Sequence, residues 1–548
     1  MSKDRDKAFF GHPAGLKTLF FTEMWERLSY YGARTFLAIY MTTEIAYGGR
    51  GMTKAETGLV MALYMSSVYL LSLPGGWIAD RFMGQRKAVT VGGIGIALGN
   101  AMLALPSDTM FFPGLAMIAI GTGFLKPNIS TIVGQLYKPD DVRRDAGFTI
   151  YYMGINIGAG IAPFIGMLIA QSPSFRATLA DNGIDPNMCW KIAFAAPAVG
   201  MVLGLIQYWI GWNNLGEAGL HPTVPTDKVK ASKDVTRLRA LAGSIVLVIG
   251  GGLAFHVFVS PIDGQTLGDV FGVGLAIAAV VVFMGFYKNA RDEGERKRIS
   301  AMIPLFLGGI AFFAVFEQAS TTLSFYAENI VQRDVFGIYL PASFYQFPNA
   351  IFIVLLASPF AFMWLKLAKA GKEPSPVMKF AIGMVFVALS FVIMLPTLGL
   401  AESAACTTKV MGPAGKLIDP SCNLVNPGYL IGLYFMSTIA ELFISPVGLS
   451  SMSKLAPVRL AGMVMGTWFL ATAIGNYIAG RAASLSEANG YGFLFKTLIV
   501  SALVVSACLF AVAPRIKRMM AKGPSSPADK SEKTEPEPLP SAKIVDKD

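Results

Sequence analysis

The chain has 548 residues, of which 53% are hydrophobic and only 15% are charged, and its mean hydropathy is +0.53. A soluble domain typically has about 25% charged residues, whereas apolar runs of about 18 or more residues recur along this chain. Composition therefore excludes an ordinary soluble protein and indicates a polytopic α-helical membrane protein. The net charge of +11 does not indicate nucleic-acid binding, because Lys and Arg gather in the loops on one side of the predicted membrane.

The apolar runs predict fourteen membrane-spanning helices, arranged along the chain as six, two and six. The first six are predicted at residues 16–42, 57–80, 87–105, 110–134, 146–171 and 191–212. Two more are predicted at 238–259 and 267–287, and the last six at 301–326, 341–366, 377–397, 427–453, 459–482 and 491–514.

The predicted domain organisation follows from these helices. It comprises a cytoplasmic N-terminus (1–15), an N-terminal six-helix bundle (16–212), a linker with two extra membrane helices (213–298), a C-terminal six-helix bundle (299–514) and a disordered cytoplasmic tail (515–548).

Loop charges predict the orientation in the membrane. Loops such as "DRFMGQRKA" and "KNARDEGERKR" are basic, whereas the alternate loops, such as "VSPIDGQT", contain little Lys or Arg. The positive-inside rule therefore places both termini in the cytoplasm. Two six-helix halves joined by a basic inner loop are typical of a secondary transporter.

The stretch "GGWIADRFMGQRKA" (75–88) follows the second predicted helix. It resembles the loop motif of the major facilitator superfamily, through Gly76, Asp80, Arg81, Gly84, Arg86 and Lys87. Glycine allows close helix packing, and we expect Asp80 and Arg81 to latch neighbouring helix ends as part of a gate. An ordinary basic inner loop remains an alternative that accounts for Arg86 and Lys87.

The first predicted helix contains "EMWERLSYYGAR" (23–34), which has four formal charges inside an apolar run. Four charges at the bilayer centre cost about 10 kcal/mol, and the apolar residues of the helix return about half of this. The charges must therefore face protein or water. At about 100° per residue, one arc of roughly 140° contains Glu23, Glu26, Arg27, Tyr30, Tyr31 and Arg34. This stripe is either functional or a structural ladder of salt bridges.

Further ionisable or amide side chains interrupt other predicted helices: Lys126, Asn156, Glu317, Asn349 and Glu441. Each is either a functional residue or a satisfied packing contact, and a lone buried charge needs a partner. None of the three histidines lies in the predicted six-plus-six core. A proton relay would therefore run on carboxylates.

Three motifs identify a family. "ExxER" at 23–27 followed by "YYG", then "GTGFLKPNIS" (121–130) and "YYMGINIGA" (151–159), closely resemble the proton-dependent oligopeptide transporters. These are peptide symporters of the major facilitator superfamily, and the resemblance runs from about residue 16 to 514. The chain departs from the family at Leu28, where Phe is usual, and has no histidine on the second helix, as in bacterial members. The two extra helices resemble the pair that bacterial members have between their halves.

The resemblance implies an all-α major facilitator fold and inward transport of di- and tripeptides with protons by alternating access. It implies that Arg34 and Lys126 hold the peptide carboxylate, that Glu441 holds the N-terminal ammonium, and that Asn156 and Asn349 bond the amide groups. Side-chain pockets are expected to be lined by Tyr30, Tyr31, Tyr69 and Trp468.

The residues expected to couple transport to protons are Glu23, Glu26, Arg27, Lys126 and Glu317. Protonation of a carboxylate beside Arg27 would free a cation for the peptide carboxylate, and Glu317 would act in the same way on Arg34. Arg50 and Glu328, near outer helix ends, are expected to pair as an outer gate.

No cofactor is expected, and the proton is expected to be the coupling ion. Neither a metal ion nor nucleic acid is expected to bind. The expected partners are peptides and the lipid bilayer of a bacterial inner membrane, with the monomer as the functional unit. Cys406 and Cys422 share one polar loop, and whether they form a disulfide is left open.

Three alternatives remain at this point. A symporter of another small anion, such as nitrate, would use the cations but not Glu441. A membrane-embedded enzyme would need a nucleophile with a base, or a cluster of metal ligands, which the six-plus-six core lacks in sequence, so no enzymatic activity is expected. A passive channel would not need a stripe of mixed acids and bases.

Overall fold

The computed structural model describes residues 8–138, 143–222, 263–399, 425–455 and 461–521, with residues 141, 235, 236, 239, 410, 411, 417 and 418. Apart from residue 239, the predicted helix at 238–259 lies outside the described residues, as do the tail beyond residue 521, Cys406 and Cys422.

The N-terminal bundle contains six long helices. They are α1 (Ala14–Thr42), α2 (Lys54–Met83), α3 (Gln85–Ala104), α4 (Phe111–Gln135), α5 (Arg144–Ile161, continued by Pro163–Ile165 and Gly166–Ala170) and α6 (Met188–Ile210). A short helix, Pro173–Asp181, connects α5 to α6.

The remaining long helices are α7 (Gly264–Lys288), α8 (Glu293–Phe316), α9 (Phe347–Lys369), α10 (Pro376–Val392), α11 (Pro427–Leu455), α12 (461–489) and α13 (491–521). After the 3₁₀ turn Glu317–Ser320, α8 continues as Thr322–Asn329. Gly490 separates α12 from α13 with a φ of +77°, a backbone conformation that only glycine adopts without cost.

The other elements are short. The remaining 3₁₀ turns are Ile45–Tyr47, Asp108–Met110, Trp212–Leu215, Ala342–Gln346 and Leu395–Thr397. Two antiparallel ribbons pair β1 (Asp334–Val335) with β2 (Ile338–Tyr339), and β3 (Val410–Met411) with β4 (Leu417–Ile418).

Thirteen of the predicted membrane spans coincide with a described helix. Eleven segments of the described chain are long and apolar enough to cross a membrane, and one of them contains both α12 and α13. By composition, α1 falls outside this set because it has five charged residues, yet most of its residues are buried. The fold is therefore the predicted all-α architecture of two six-helix bundles, with α7 as the described extra helix.

Two predicted boundaries were wrong. Helix α8 begins at Glu293, not at 301, because Asp292 caps it by accepting a hydrogen bond from the Glu295 amide at 2.7 Å. Helix α13 continues to residue 521, beyond the predicted end at 514, because "RIKRMMA" is a good helix former and its cations suit a helix C-terminus.

The segment before α1 is attached to the loop between α4 and α5. Phe9 and His12 exchange backbone hydrogen bonds of 3.1 and 2.9 Å, and His12 Nδ1 lies 3.0 Å from Tyr137 Oη. In the same loop, hydrogen bonds from Arg143 lower the pKa of Asp141 to about 2. The segment predicted as the cytoplasmic N-terminus (1–15) thus contacts the rest of the structure from Phe9 onward.

Among the described residues, the main helix contacts between the two bundles are those of α1 with the end of α8, of α2 with α12, and of α5 with α9. Gly58 of α2 and Gly480 of α12 approach so closely that a Cβ on either would collide with the other backbone. Nearby, Ser66 Oγ donates to the Ala473 carbonyl at 2.8 Å. Gln171, after α5, donates to Glu328 Oε2 at 3.1 Å. The glycine contact and the Gln171 bond lie on the side of the fold where α1 ends.

Helix α7 packs against this same contact between the bundles. Tyr477 of α12 donates to the Gly268 carbonyl at 3.0 Å, and Arg481 forms a 3.0 Å ion pair with Asp269. Leu59 of α2 also packs against Gly268. Helix α7 therefore contacts both bundles where α2 meets α12.

Candidate functional site

A cavity of about 130 Å³ lies between the two bundles. Its walls come from α1 and α5 on one side and from α8, α9, α10 and α11 on the other. Six residues singled out in the sequence line it: Tyr31, Arg34, Asn156, Glu317, Asn349 and Glu441. Helices distant in sequence thus bring these side chains to one central chamber.

A buried ion pair crosses the chamber wall. Arg34 Nη2 of α1 pairs with Glu317 Oε2, in the turn that follows Phe316. Arg34 is 4% exposed and Glu317 is 5% exposed, so each charge depends on the other for compensation. The pair joins the N-terminal bundle to the C-terminal bundle through groups that also face the cavity.

One cation serves two acids at the start of the α1 stripe. Arg27 pairs with Glu26, and its Nε lies 3.3 Å from Glu23 Oε1. All three side chains are buried. Glu26 Oε1 and Arg27 Nη2 have no hydrogen-bond partner among the described residues. This cluster therefore contains one acceptor and one donor without a partner in the described part of the chain. It lies outside the cavity lining, at least one helical turn along α1 from Arg34.

The two stripe tyrosines lie between the two arginines. The Tyr30 ring centroid is 5.2 Å from Arg27 Cζ and 5.7 Å from Arg34 Cζ, and the Tyr31 centroid is 5.8 and 5.5 Å from the same atoms. These distances fall within the range of cation–π attraction. Tyr31 lines the cavity, whereas Tyr30 is 1% exposed and packs near Tyr64 inside the bundle.

Lys126 has an aromatic partner. Its Nζ lies 4.1 Å from the ring centroid of Tyr69, and within the described chain it has no carboxylate at ion-pair distance. Neither Lys126 nor Tyr69 is among the residues that line the cavity. Lys126 therefore does not form the predicted direct ion pairs with Glu23 and Glu26 in this conformation.

At the C-terminal-bundle end of the cavity, amide groups have fixed partners. Asn349 Nδ2 donates to Thr438 Oγ1 at 2.9 Å and to Glu441 Oε2 at 3.3 Å. Asn156 Nδ2 donates to the carbonyl of Tyr152 on its own helix at 2.9 Å. Both amides thus use their nitrogens for the protein, which leaves their oxygens as acceptors.

The predicted pocket residue Trp468 lies elsewhere. It is 5% exposed, and its ring centroid is 5.8 Å from that of Phe313 and 6.3 Å from that of Phe380. Gly309 and Gly448 leave the space that its indole fills. In this conformation Trp468 is core packing of the C-terminal bundle.

The predicted Arg50–Glu328 pair was wrong. Arg50 pairs with Asp108 at 3.0 Å, and Glu328 pairs with Arg333 at 3.0 Å, each within its own half of the chain. Asp108 begins a 3₁₀ turn and Arg333 lies in a loop, so the periodicity of the long helices gives no information about either partner. Glu328 still contacts the other bundle, through its hydrogen bond with Gln171.

The other two gating candidates lie at the end of α2. Asp80 Oδ1 accepts a 2.6 Å hydrogen bond from Gln85 Nε2, and Gln85 is the first residue of α3. Arg81 lies half-buried beside it. The contact made by Asp80 therefore joins two neighbouring helix ends across the turn at Gly84.

Sequence reasoning missed the part played by Arg86. Its guanidinium donates to the carbonyls of Ala218 (2.7 Å) and Trp212 (3.4 Å) and also to that of Gly216, and it lies 5.2 Å from the Trp212 ring. Arg86 thus ties the start of α3 to the chain that follows α6. The position of Arg86 in the loop motif was the one indication of this role in the sequence. An ordinary basic inner loop also accounted for an arginine at this position.

We expect Arg86→Gln to lower the free energy of unfolding by about 2 kcal/mol, because three carbonyls lose a charged donor. Lys87→Gln is the matched control, since Lys87 is the next residue and is exposed; its effect should stay within about 0.5 kcal/mol. Thermal unfolding in detergent measures both. Equal midpoints for the two variants would contradict an anchoring role.

A second missed residue is Tyr151, the first residue of "YYMGINIGA". Its hydroxyl donates to Glu23 Oε2 at 2.7 Å, and the side chain is buried. Ser130 Oγ lies 3.5 Å from the same hydroxyl. Tyr151 therefore fixes the orientation of Glu23, a role that no sequence periodicity indicates because the two residues are on different helices.

Comparison with known proteins covers nearly the whole chain. A sequence model of the POT family matches residues 86–492. An uncharacterized transporter of Bacillus subtilis, YclF, is 36% identical over 94% of this chain and 96% of its own length. A di-/tripeptide transporter of Lactococcus lactis is 34% identical over 94% of this chain and 98% of its own length.

The fold is likewise similar to solved structures. The crystal structure of a POT family transporter in complex with a thioalcohol-conjugated peptide has a TM-score of 0.79 and 33% sequence identity, and the match covers 93% of this chain and 98% of that one. The similarity of fold therefore extends over both bundles.

Proposed function

Since the chain belongs to the POT family of proton-dependent oligopeptide transporters, we propose that it imports di- and tripeptides together with protons by alternating access. The chain is a multi-pass helical transporter of the major facilitator fold. Transporters move their substrate without converting it, so no catalytic residue is assigned.

The observation that carries the proposal is the charge of the central cavity. One wall contains a cation, Arg34, and the opposite bundle contains an acid, Glu441. A dipeptide is a zwitterion with its two charges at opposite ends, so it can bridge the bundles and favour their closing. An anion such as nitrate would have no use for Glu441, which disfavours the second candidate.

The proposed contacts assign Arg34 and Lys126 to the peptide carboxylate and Glu441 to its ammonium, with Asn156 and Asn349 near the amide groups. Tyr31 lines the cavity and in this proposal contacts a substrate side chain directly. Wider opening of the cavity would be needed before substrate could reach the other proposed residues, Lys126, Tyr30, Tyr69 and Trp468.

The coupling proposal rests on the two acid–base clusters of α1. Protonation of Glu23 or Glu26 would release Arg27, and protonation of Glu317 would release Arg34 for the peptide carboxylate. At a membrane potential of 100 mV, one proton contributes about 2.3 kcal/mol, which corresponds to about 50-fold accumulation of a neutral peptide. The proton is the only coupling ion in this scheme.

The proposed location is a bacterial inner membrane, with both termini in the cytoplasm, and the proposed functional unit is the monomer. The loop charges support this orientation, and the central cavity is lined by both bundles of a single chain, which supports the monomer. In this orientation, the contacts of Gly58 with Gly480 and of Gln171 with Glu328 close the outer side.

Uptake into proteoliposomes tests the proposal. A labelled dipeptide should accumulate when the outside is acidic relative to the lumen, and it should only equilibrate when the gradient is collapsed. An excess of unlabelled dipeptide should compete, and nitrate should not. Competition by nitrate alone would favour the anion symporter, and accumulation independent of the gradient would contradict proton coupling.

A further inference from the structure

A buried threonine next to the cavity fixes the orientation of one of its amides. Thr438 of α11 is 0% exposed, and its hydroxyl donates to the Tyr434 carbonyl one turn earlier at 2.8 Å. A hydroxyl has a single proton to donate. Because the helix carbonyl takes that proton, Thr438 Oγ1 can only accept from Asn349, whose amide lies 2.9 Å away.

The consequence for Asn349 is that its nitrogen, not its oxygen, must face Thr438. The same nitrogen donates its second proton to Glu441 Oε2 at 3.3 Å. In the reverse orientation, the amide oxygen would face two acceptors, the Thr438 oxygen and the Glu441 carboxylate, with no proton between them. The hydroxyl of Thr438 thus selects one of the two amide orientations.

The selected orientation leaves Asn349 Oδ1 without a hydrogen-bond partner among the described residues, on a side chain that lines the cavity. Glu441 lines the same cavity. Asn349 Oδ1 and the Glu441 carboxylate therefore form a pair of neighbouring acceptors, of which the carboxylate is charged. A primary ammonium, which has three donors and no acceptor, matches this pair, whereas an acylated amine lacks the charge and most of the donors.

We propose that Thr438 is a positioning residue for substrate recognition: it holds Asn349 so that the cavity presents two acceptors to the free α-ammonium of a peptide. The inference rests on the proposed function, which assigns the peptide ammonium to Glu441; it adds Asn349 Oδ1 as a second acceptor for that ammonium, in place of the contact with the amide groups. All three residues belong to the C-terminal bundle, so the arrangement is preformed before the bundles close on substrate.

The test compares Thr438→Val, which keeps the shape and removes the hydroxyl, with Thr438→Ser, which keeps the hydroxyl. Thr438→Val should raise the KM for Ala-Ala about tenfold with kcat nearly unchanged, since an interaction with a charged ligand group is weakened. Thr438→Ser should stay within about twofold of the original chain.

N-acetyl-Ala-Ala is the matched ligand. We expect its inhibition constant to be almost the same in the original chain and in Thr438→Val, so the preference for the free amine should fall about tenfold. This ratio does not depend on the amount of folded protein. An equal loss for both ligands, an unchanged KM, or a serine variant as weak as the valine variant would each overturn the proposal.

The chain offers a matched control in Thr472 of α12. This threonine is also buried and donates to a helix carbonyl, that of Trp468, at 3.1 Å. It does not line the cavity, so Thr472→Val should leave the preference for the free amine unchanged. If Thr438→Val proves too unstable, Thr438→Ala answers the same question. Failure of the original chain to transport Ala-Ala would instead refute the proposed function.

Discussion

Replacing either acid at the start of the α1 stripe, by Glu23→Gln or by Glu26→Gln, should abolish proton-driven accumulation of a dipeptide and leave counterflow exchange intact. Both carboxylates depend on Arg27 for charge compensation, and both are buried. Glutamine keeps the size of the side chain but can neither lose nor gain a proton. The link between protonation and release of Arg27 is therefore cut.

The expected magnitude follows from the driving force. At a membrane potential of 100 mV, accumulation of a neutral dipeptide should fall from about 50-fold in the original chain to about onefold in each variant. Exchange of labelled for unlabelled dipeptide at equal pH on both sides needs no net proton movement, so it should continue in both.

Glu44→Gln is the control for this experiment. Glu44 directly follows the α1 C-cap and is exposed, so its substitution should change neither accumulation nor exchange. Uphill accumulation that persists in both Glu23→Gln and Glu26→Gln would show that coupling runs through other groups, with Glu317 the first to examine.

Much of the fold was predictable because the membrane imposes a simple rule on sequence. A helix that crosses lipid must be apolar over its whole length, so runs of hydrophobic residues gave thirteen helices that the structure describes. Helix α1 shows the limit of that rule. Its charges are compatible with a membrane span only because other helices shield them from lipid. The periodicity of the stripe had indicated this, since it places all the charges on one face of α1.

The site was predictable where it depends on one helix and less so where it depends on two. The spacing of Glu23, Arg27 and Arg34 places them on one face of α1, and the structure has them there. Arg50 pairs with Asp108, and Asn349 bonds the Thr438 hydroxyl; each partner comes from a segment far away in sequence. No periodicity within a single segment contains that information.

Arg34→Gln should produce two separable defects, one in stability and one in transport. It leaves Glu317 buried without its cation, and loss of one partner from a buried pair costs about 3–5 kcal/mol. It also removes the cation proposed for the peptide carboxylate, so the KM for a dipeptide should rise about 10- to 100-fold. Thermal unfolding in detergent and initial rates of uptake measure the two effects.

The double variant Arg34→Gln/Glu317→Gln separates these effects. Two neutral amides can bond each other across the same interface, so the unfolding midpoint should return toward that of the original chain. Transport should stay impaired, because no cation has been restored to the cavity. Arg481→Gln, which breaks the partly exposed pair with Asp269, is the control and should cost at most about 1 kcal/mol. If transport recovered with stability in the double variant, Arg34 would be a structural residue, and the carboxylate site would have to lie at Lys126.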